Sequence, residues 1–144
     1  MAKRILVPVN PTSAVESVVP LIADLARGSG ATVRLLRVAP LPKNVVNGNG
    51  RVVAYADQEM SRLEAEGLDD LRAVEANLEG LPVERVVRFG DPDEEILREA
   101  DAFGADLIAV TTANRSWLSR AVLPGVAERV FRKAEVPVML VRRR

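Results

Sequence analysis

The stretch Ala105-Asp-Leu-Ile-Ala-Val-Thr-Thr-Ala-Asn-Arg-Ser-Trp-Leu-Ser-Arg-Ala-Val-Leu-Pro-Gly-Val-Ala-Glu-Arg-Val130 decides the fold. Ala105 to Val110 is a short apolar run of strand length. Thr111 to Gly125 is polar and irregular, and from Val126 the apolar residues recur at helical spacing. The order is buried strand, loop, helix. In an open α/β sheet, ligands sit at loops that leave the carboxyl ends of strands, and the following helix N-terminus favours anions. A small molecule bound by this chain is therefore expected at the loop from Thr111 to Gly125.

The same unit repeats upstream. Arg4-Ile-Leu-Val-Pro-Val9 reads as a central strand buried on both faces, with Pro8 near its end, where a ladder donor is least missed. Ser13 and Glu16 have capping-box spacing and open a helix with Val15, Val18, Val19, Ile22, Leu25 and Ala26 on one face. Pro20 inside it predicts a kink or a restart, and Gly28 and Gly30 predict its stop. Ala31 to Val38 is the second strand. Pro40 to Val53, with two Asn-Gly pairs, is expected to be a mobile flap rather than a hairpin pairing Val45-Val46 with Val52-Val53, because neither arm alternates.

A long helix over Tyr55 to Leu78 follows, with Met60, Leu63, Gly67, Leu71, Val74 and Leu78 inward. Pro82 to Phe89 mixes polar with apolar residues, as a sheet edge does. Asp91 as N-cap, Pro92 in the first turn and the acids Asp93, Glu94 and Glu95 mark a helix start rather than a metal cluster. Ile96, Leu97, Ala100 and Phe103 pack inward and Gly104 ends that helix. The last helix is expected to turn Val126, Ala127, Val130, Phe131 and Ala134 inward. Val136 to Val141 is a fifth strand, at an edge that tolerates Pro137.

Alternating strands and helices predict a single α/β domain over residues 1–144. Its sheet is a doubly wound five-stranded parallel one in order 3-2-1-4-5 with helices on both faces. The switch point falls between the first and fourth strands, so the turn at Asn10 and the loop after Val110 flank one crevice.

Composition narrows the chemistry. There is no Cys and no His, which removes disulfides, thiol nucleophiles, His-based triads and Cys/His metal sites. Twenty basic residues balance 20 acidic ones, which argues against nucleic acid as a partner; Arg142-Arg143-Arg144 reads as a solvated terminus. With no leader pattern and no membrane-length apolar run, the expectation is a cytoplasmic protein without membrane contact.

Lys3-Arg-Ile-Leu-Val-Pro-Val9, Gly90-Asp-Pro-Asp-Glu-Glu-Ile-Leu97, Leu118-Ser-Arg120, Val126-Ala-Glu-Arg-Val130 and Val136-Pro-Val-Met-Leu-Val141 together resemble the universal stress protein family over essentially the whole chain. The resemblance implies a Rossmann-like, adenine nucleotide alpha hydrolase-like fold. It also implies a nucleotide crevice at Pro8, Asn10, Val38, Thr111, Thr112, Asn114, Arg115, Pro124, Gly125 and Val126. Nucleotide-binding members carry Gly, two residues, Gly, nine residues, Gly, then Ser or Thr. Thr111, Asn114, Pro124 and Gly125 occupy those positions here, and none matches; Asn10 stands where members usually have Asp. Thr111 brings a branched Cβ, Asn114 is the mildest change, Pro124 lacks an N–H and Gly125 lacks a hydroxyl.

ATP is therefore not expected as a cofactor. The leading expectation is a non-enzymatic stress-response module that acts through an unidentified protein partner. It would be a homodimer through the last strand at Val136, Val138, Met139, Leu140 and Val141, as family members often are. The alternative is an ATP or AMP sensor in which Arg115, Arg120 and Thr112 replace the lost donors. A slow nucleotide hydrolase is a third reading, with no His, Cys, Walker lysine motif or paired strand-end acids to carry it. Trp117, the lone Trp, either stacks on a ligand or partner or covers the apolar edge of the last helix.

Overall fold

The fold was analysed in a computed structural model that describes residues 3–9, 15–42, 45–46, 50, 52–112 and 125–142. The elements are β1 (Arg4–Pro8), α1 (Val15–Ser29), β2 (Thr32–Ala39), β3 (Val45–Val46), β4 (Val52–Ala54), α2 (Ala56–Glu75), β5 (Val83–Phe89), α3 (Pro92–Phe103), β6 (Leu107–Thr112), α4 (Val126–Lys133) and β7 (Val138–Arg142). Five strands form one parallel sheet in the order β5-β2-β1-β6-β7, which is 3-2-1-4-5 once the small β3-β4 pair is set aside.

The pleat sends alternate residues to opposite faces. Ile5, Val7 and Val9 of the β1 segment join Val33 and Leu35 in a core under α1 and α2, where Ile22, Ala26, Leu71 and Leu78 close over them. Leu6, Leu36, Ile108 and Val110 point the other way, to Ile96, Ala100 and Phe103 of α3 and Ala127 and Val130 of α4. Helices thus cover both faces, and the central strands are apolar on both. Gly67 lets α2 sit close to the sheet: a Cβ there would stand 3.0 Å from Val87 Cγ2 and 3.2 Å from Arg37 Cγ.

Several expectations need correction. β3 and β4 pair antiparallel, Val45 opposite Ala54 and Val46 opposite Val52, so the hairpin and not the flap is the arrangement there. Helix α1 is continuous from Val15 to Ser29, so it does not restart at Pro20, and it runs on through Gly28; Gly30, at φ 69°, follows its last residue. The capping pair's Ser13, and the side chains of Val15 and Val18, lie outside the described residues. Leu25 and Phe131 are 40% and 48% exposed instead of inward. Ala23 in α1 and Glu128 in α4 are buried in their stead. Apolar periodicity marks a stripe wider than the part the sheet covers, and both residues fall on its margin.

Candidate functional site

The strand order places the topological switch at the β1–β6 boundary. β1 pairs with β2 from Arg4↔Thr32 to Pro8↔Leu36, and the Val9 N–H donates to the Leu36 carbonyl at 2.7 Å. β6 pairs with β7 from Ile108↔Val138 to Thr112↔Arg142. Between β1 and β6 the register holds only Ile5↔Leu107 and Leu6↔Ile108. The assigned β1–β6 pairing thus ends two residues before Pro8, which has no N–H to continue it, with β5-β2-β1 on one side of this boundary and β6-β7 on the other. This boundary is the topological switch point, where an open α/β sheet places its ligands.

Pro8 is half-buried at the end of β1, and Val38 lies two residues beyond Leu36, the partner of Pro8, on the α3 face. Thr111 and Thr112 belong to β6, opposite Val141 and Arg142, so the strand is longer than the run ending at Val110 and the loop starts later. Gly125 is the N-cap of α4 in extended backbone, and Val126 is its first helical residue. Asn10, Asn114, Arg115 and Pro124, with Trp117 and Arg120, lie outside the described residues. Pro8 thus lies at the carboxyl end of β1 and Thr111 and Thr112 at the carboxyl end of β6, its neighbour in the sheet, with Val38 near the end of β2 on the other side of β1.

Glu128 is a feature of this end that the sequence pattern did not single out. It is 2% exposed, and its Oε2 would stand 2.8 Å from a Cβ placed on Gly125. The glycine leaves room for the carboxylate to lie against the start of α4, where a negative charge meets the positive end of the helix. The available signal was the spacing: N-cap to N3 is the distance over which a Glu reaches back in a capping box.

A second charged cluster packs beneath α3. Asp91 occupies the N-cap but makes no side-chain cap bond, and the acids after it are not simply a charged first turn. Asp93 accepts from Lys133 Nζ at 3.0 Å and lies 3.5 Å from Arg129 Nε. Glu95 pairs with Arg88 at 3.0 Å and with Arg98. Glu99, 4% exposed, bridges Arg34 and Arg88, each at 3.2 Å. Arg34 also lies 4.1 Å over the Phe103 ring. Among the described residues no group of three or more acids, His or Cys is placed to hold a metal ion, and no helix is long and apolar enough to cross a membrane.

These pairs carry a pH dependence. Hydrogen bonding from Arg88, reinforced by Arg98, holds the Glu95 carboxyl below the ordinary Glu value against the cost of its burial. For Asp93, burial pushes upward, and Lys133 with Arg129 outweighs it, so its pKa is also lowered. Each carboxylate stabilises the fold above its unfolded pKa, near 4, and that contribution is lost as pH falls through the lower folded value. Urea midpoints measured from pH 6 to pH 3 are expected to drop below about pH 4.5, and to drop less in the variant Asp93→Asn/Glu95→Gln. An equal fall in both proteins would exclude the two pairs as the source.

The residues from 1 to 142 match the model of the universal stress protein family. Universal stress protein MJ0577 of Methanocaldococcus jannaschii is 29% identical over 112 residues, covering 76% of this chain and 65% of that protein's length. The solved structure of MJ0577 superposes with a TM-score of 0.77 at 24% identity, covering 99% of this chain and 96% of that one. The universal stress protein of Archaeoglobus fulgidus, solved in complex with dAMP, gives a TM-score of 0.64 at 20% identity, with 96% and 97% covered.

Proposed function

Because the chain belongs to the universal stress protein family, we propose that it is a non-enzymatic stress-response module of the cytoplasm. It works as a homodimer through a protein partner, with a crevice that no longer holds ATP. The observation that carries this reading is the set of residues at the glycine-loop positions. Thr111 stands near the carboxyl end of β6 opposite Val141, where a glycine would let phosphate approach backbone. Pro124 has no N–H and Gly125 no hydroxyl to offer that phosphate. The absence of His and Cys from the chain supports the non-enzymatic part.

The homodimer is supported by what surrounds β7, an edge strand of the sheet. α2 packs on β2 and β5, and α1 touches β6. Ala23 and Arg27 of α1 line the groove shared with Ala73 and Val74 of α2. Steps of about 100° per residue put Leu21 and Leu25 on the opposite flank, toward β7. On the other face, Arg129 and Lys133 of α4 reach α3, and Phe131 projects from the far flank. Leu21, Leu25 and Phe131 are each 40% or more exposed, and helix geometry turns them toward the β7 side. An antiparallel β7–β7 pair about a two-fold axis would cover all three. Light scattering at tens of micromolar is expected to give twice the 15.6 kDa chain mass. The variant Leu25→Glu/Phe131→Glu is expected to give the single-chain mass, and a natural protein that scatters as one chain would end the homodimer reading.

A second reading, the nucleotide sensor using Arg115, Arg120 and Thr112, is favoured by one observation: a solved relative was captured with dAMP. Native mass spectrometry of freshly purified protein separates the two. A dimer free of nucleotide supports the module, and a mass increment of one nucleotide per chain supports the sensor.

A further inference from the structure

We infer that the groove between α1 and α2 is the docking site of the protein partner, and that it takes an amphipathic helix whose short apolar stripe is flanked by lysine or arginine. The inference rests on the reading of the chain as a module that works through a protein partner, and its test is arranged to fail separately from that reading.

The groove follows from where the two helices sit. α2 packs on β2 and β5, and α1 touches β6. β1 runs between β2 and β6, so the helices stand on either side of it. Packed helices fill the space between them with interlocking side chains. Here the facing residues are small or short: Val19, Pro20 and Ala23 on α1, Ala73 and Val74 on α2. They leave a groove of about 500 Å³. Ala23 and Val74 are buried and give it an apolar floor. Arg27 lies at one end, where its Nη2 donates to the Glu79 carbonyl at 3.3 Å and ties α1 to the chain beyond α2. From Val19 to Arg27 the α1 wall is about 12 Å long, roughly two turns. A partner helix with apolar residues at i, i+4 and i+7 spans about 10 Å and fits that length.

The charge of the partner follows from the rim. Asp24 lines the groove on α1, is exposed, and has no ion pair among the described residues. On α2 the stripe that carries Ala73 continues at steps of three and four to Asp70 and Glu66. Asp70 attracts Arg37 of β2, and Glu66 pairs with Arg62 at 2.6 Å. Over the whole of α2, seven acids stand against two arginines. Arg27 is the one cation among the described lining residues, and it is turned to Glu79. Such a field draws in a cationic partner and repels the phosphates of a membrane or a nucleic acid. Leu21 and Leu25 lie on the other flank of α1, so a β7–β7 pair would leave the groove open.

The probe is an alanine-based helical peptide of about 15 residues, with Leu at i, i+4 and i+7 and Lys on both flanks of that stripe. One control spreads the same leucines around the helix, and another replaces Lys by Glu. Titrated into the isotope-labelled chain and followed by amide NMR, the probe is expected to shift residues from Val19 to Arg27 and from Ala73 to Asn77. Both controls are expected to leave them unmoved. Asp24→Lys/Asp70→Lys is expected to weaken the probe about tenfold and to admit the Glu-flanked control. Ala73→Trp fills the groove from an exposed position, and is expected to abolish binding while the urea midpoint stays close to that of the natural chain. Shifts elsewhere, equal binding by the spread-leucine control, or unchanged affinity in either variant would overturn the inference. So would a folded natural chain that ignores the probe. The module reading fails on other grounds, a nucleotide carried by the purified chain in native mass spectrometry, and that measurement does not involve the groove.

Discussion

Isothermal titration with Mg-ATP is expected to show no heat for the natural chain and clear binding once Thr111→Gly, Asn114→Gly, Pro124→Gly, Gly125→Ser and Asn10→Asp are introduced together. The magnitude follows from the donors. A hydrogen bond to a charged group contributes about 1.5–3 kcal/mol, so restoring the amide at position 124 and the hydroxyl at position 125 is worth roughly 3–6 kcal/mol. That is about a hundredfold to ten-thousandfold in affinity. The gains will not add independently, because the loop positions share one backbone. Gly125→Ser meets a specific obstacle: its Cβ would stand 2.8 Å from Glu128 Oε2. The obstacle is the far end of a flexible side chain, and the backbone at Gly125 has φ −79°, open to any residue. The introduced serine and Glu128 would also complete the Ser-x-x-Glu pattern of a capping box, which holds the carboxylate on the helix start in a second way. Micromolar binding by the natural chain would reject the module in favour of the arginine-assisted sensor. Silence from both would mean that the switch point between β1 and β6 does not admit the ligand.

Glu99→Ala is expected to cost about 3 kcal/mol of stability. Removing one member of a buried charge pair costs roughly 3–5 kcal/mol, because the partner is left buried without its counter-charge. Here two partners are affected, Arg34 and Arg88, but their side chains are 22% and 29% exposed and reach water, which favours the low end. Arg34 retains Glu84 at 2.9 Å and Arg88 retains Glu95 at 3.0 Å. The comparison is Glu94→Ala on the same helix. Glu94 is 53% exposed and lies 3.9 Å from Arg98, and such surface pairs are worth about 0–1 kcal/mol. Urea denaturation should separate the two variants by about 2 kcal/mol or more, with Arg88→Ala/Glu99→Ala less destabilised than the sum of its parts. Equal midpoints for Glu94→Ala and Glu99→Ala would mean that burial of the cluster contributes nothing.

The alternation of strands and helices was legible because each strand is a short apolar run and each helix a longer amphipathic one. Element ends were less so: Thr111 and Thr112 look like loop and yet extend β6, because pairing with Val141 and Arg142 of β7 continues past the apolar residues. The roles of Asp93, Glu95 and Glu99 could not be read locally. Lys133 and Arg34, which engage Asp93 and Glu99, lie 40 and 65 residues away along the chain. Leu25 and Phe131 look like core by spacing alone, since periodicity does not separate a side chain facing the sheet from one on its margin. At the site, the switch point and Pro8 were visible as topology and composition.

The two edges of the sheet are not alike, and the difference decides how association would stop. β5 carries Glu84, Arg85 and Arg88, with Glu84 held to Arg34 at 2.9 Å and Arg85 lying 3.4 Å from Glu75. β7 runs Val138-Met-Leu-Val141 before its first charge. Charged edges resist a new strand and apolar ones accept it. A β7 edge docking on the β5 edge of another copy would repeat without closing and grow a fibre. The charges on β5 oppose that contact, while the proposed β7–β7 pair would use up the apolar edge of the five-stranded sheet on each copy. Growth would then be self-limiting, and concentrating the protein is expected to give discrete pairs rather than filaments.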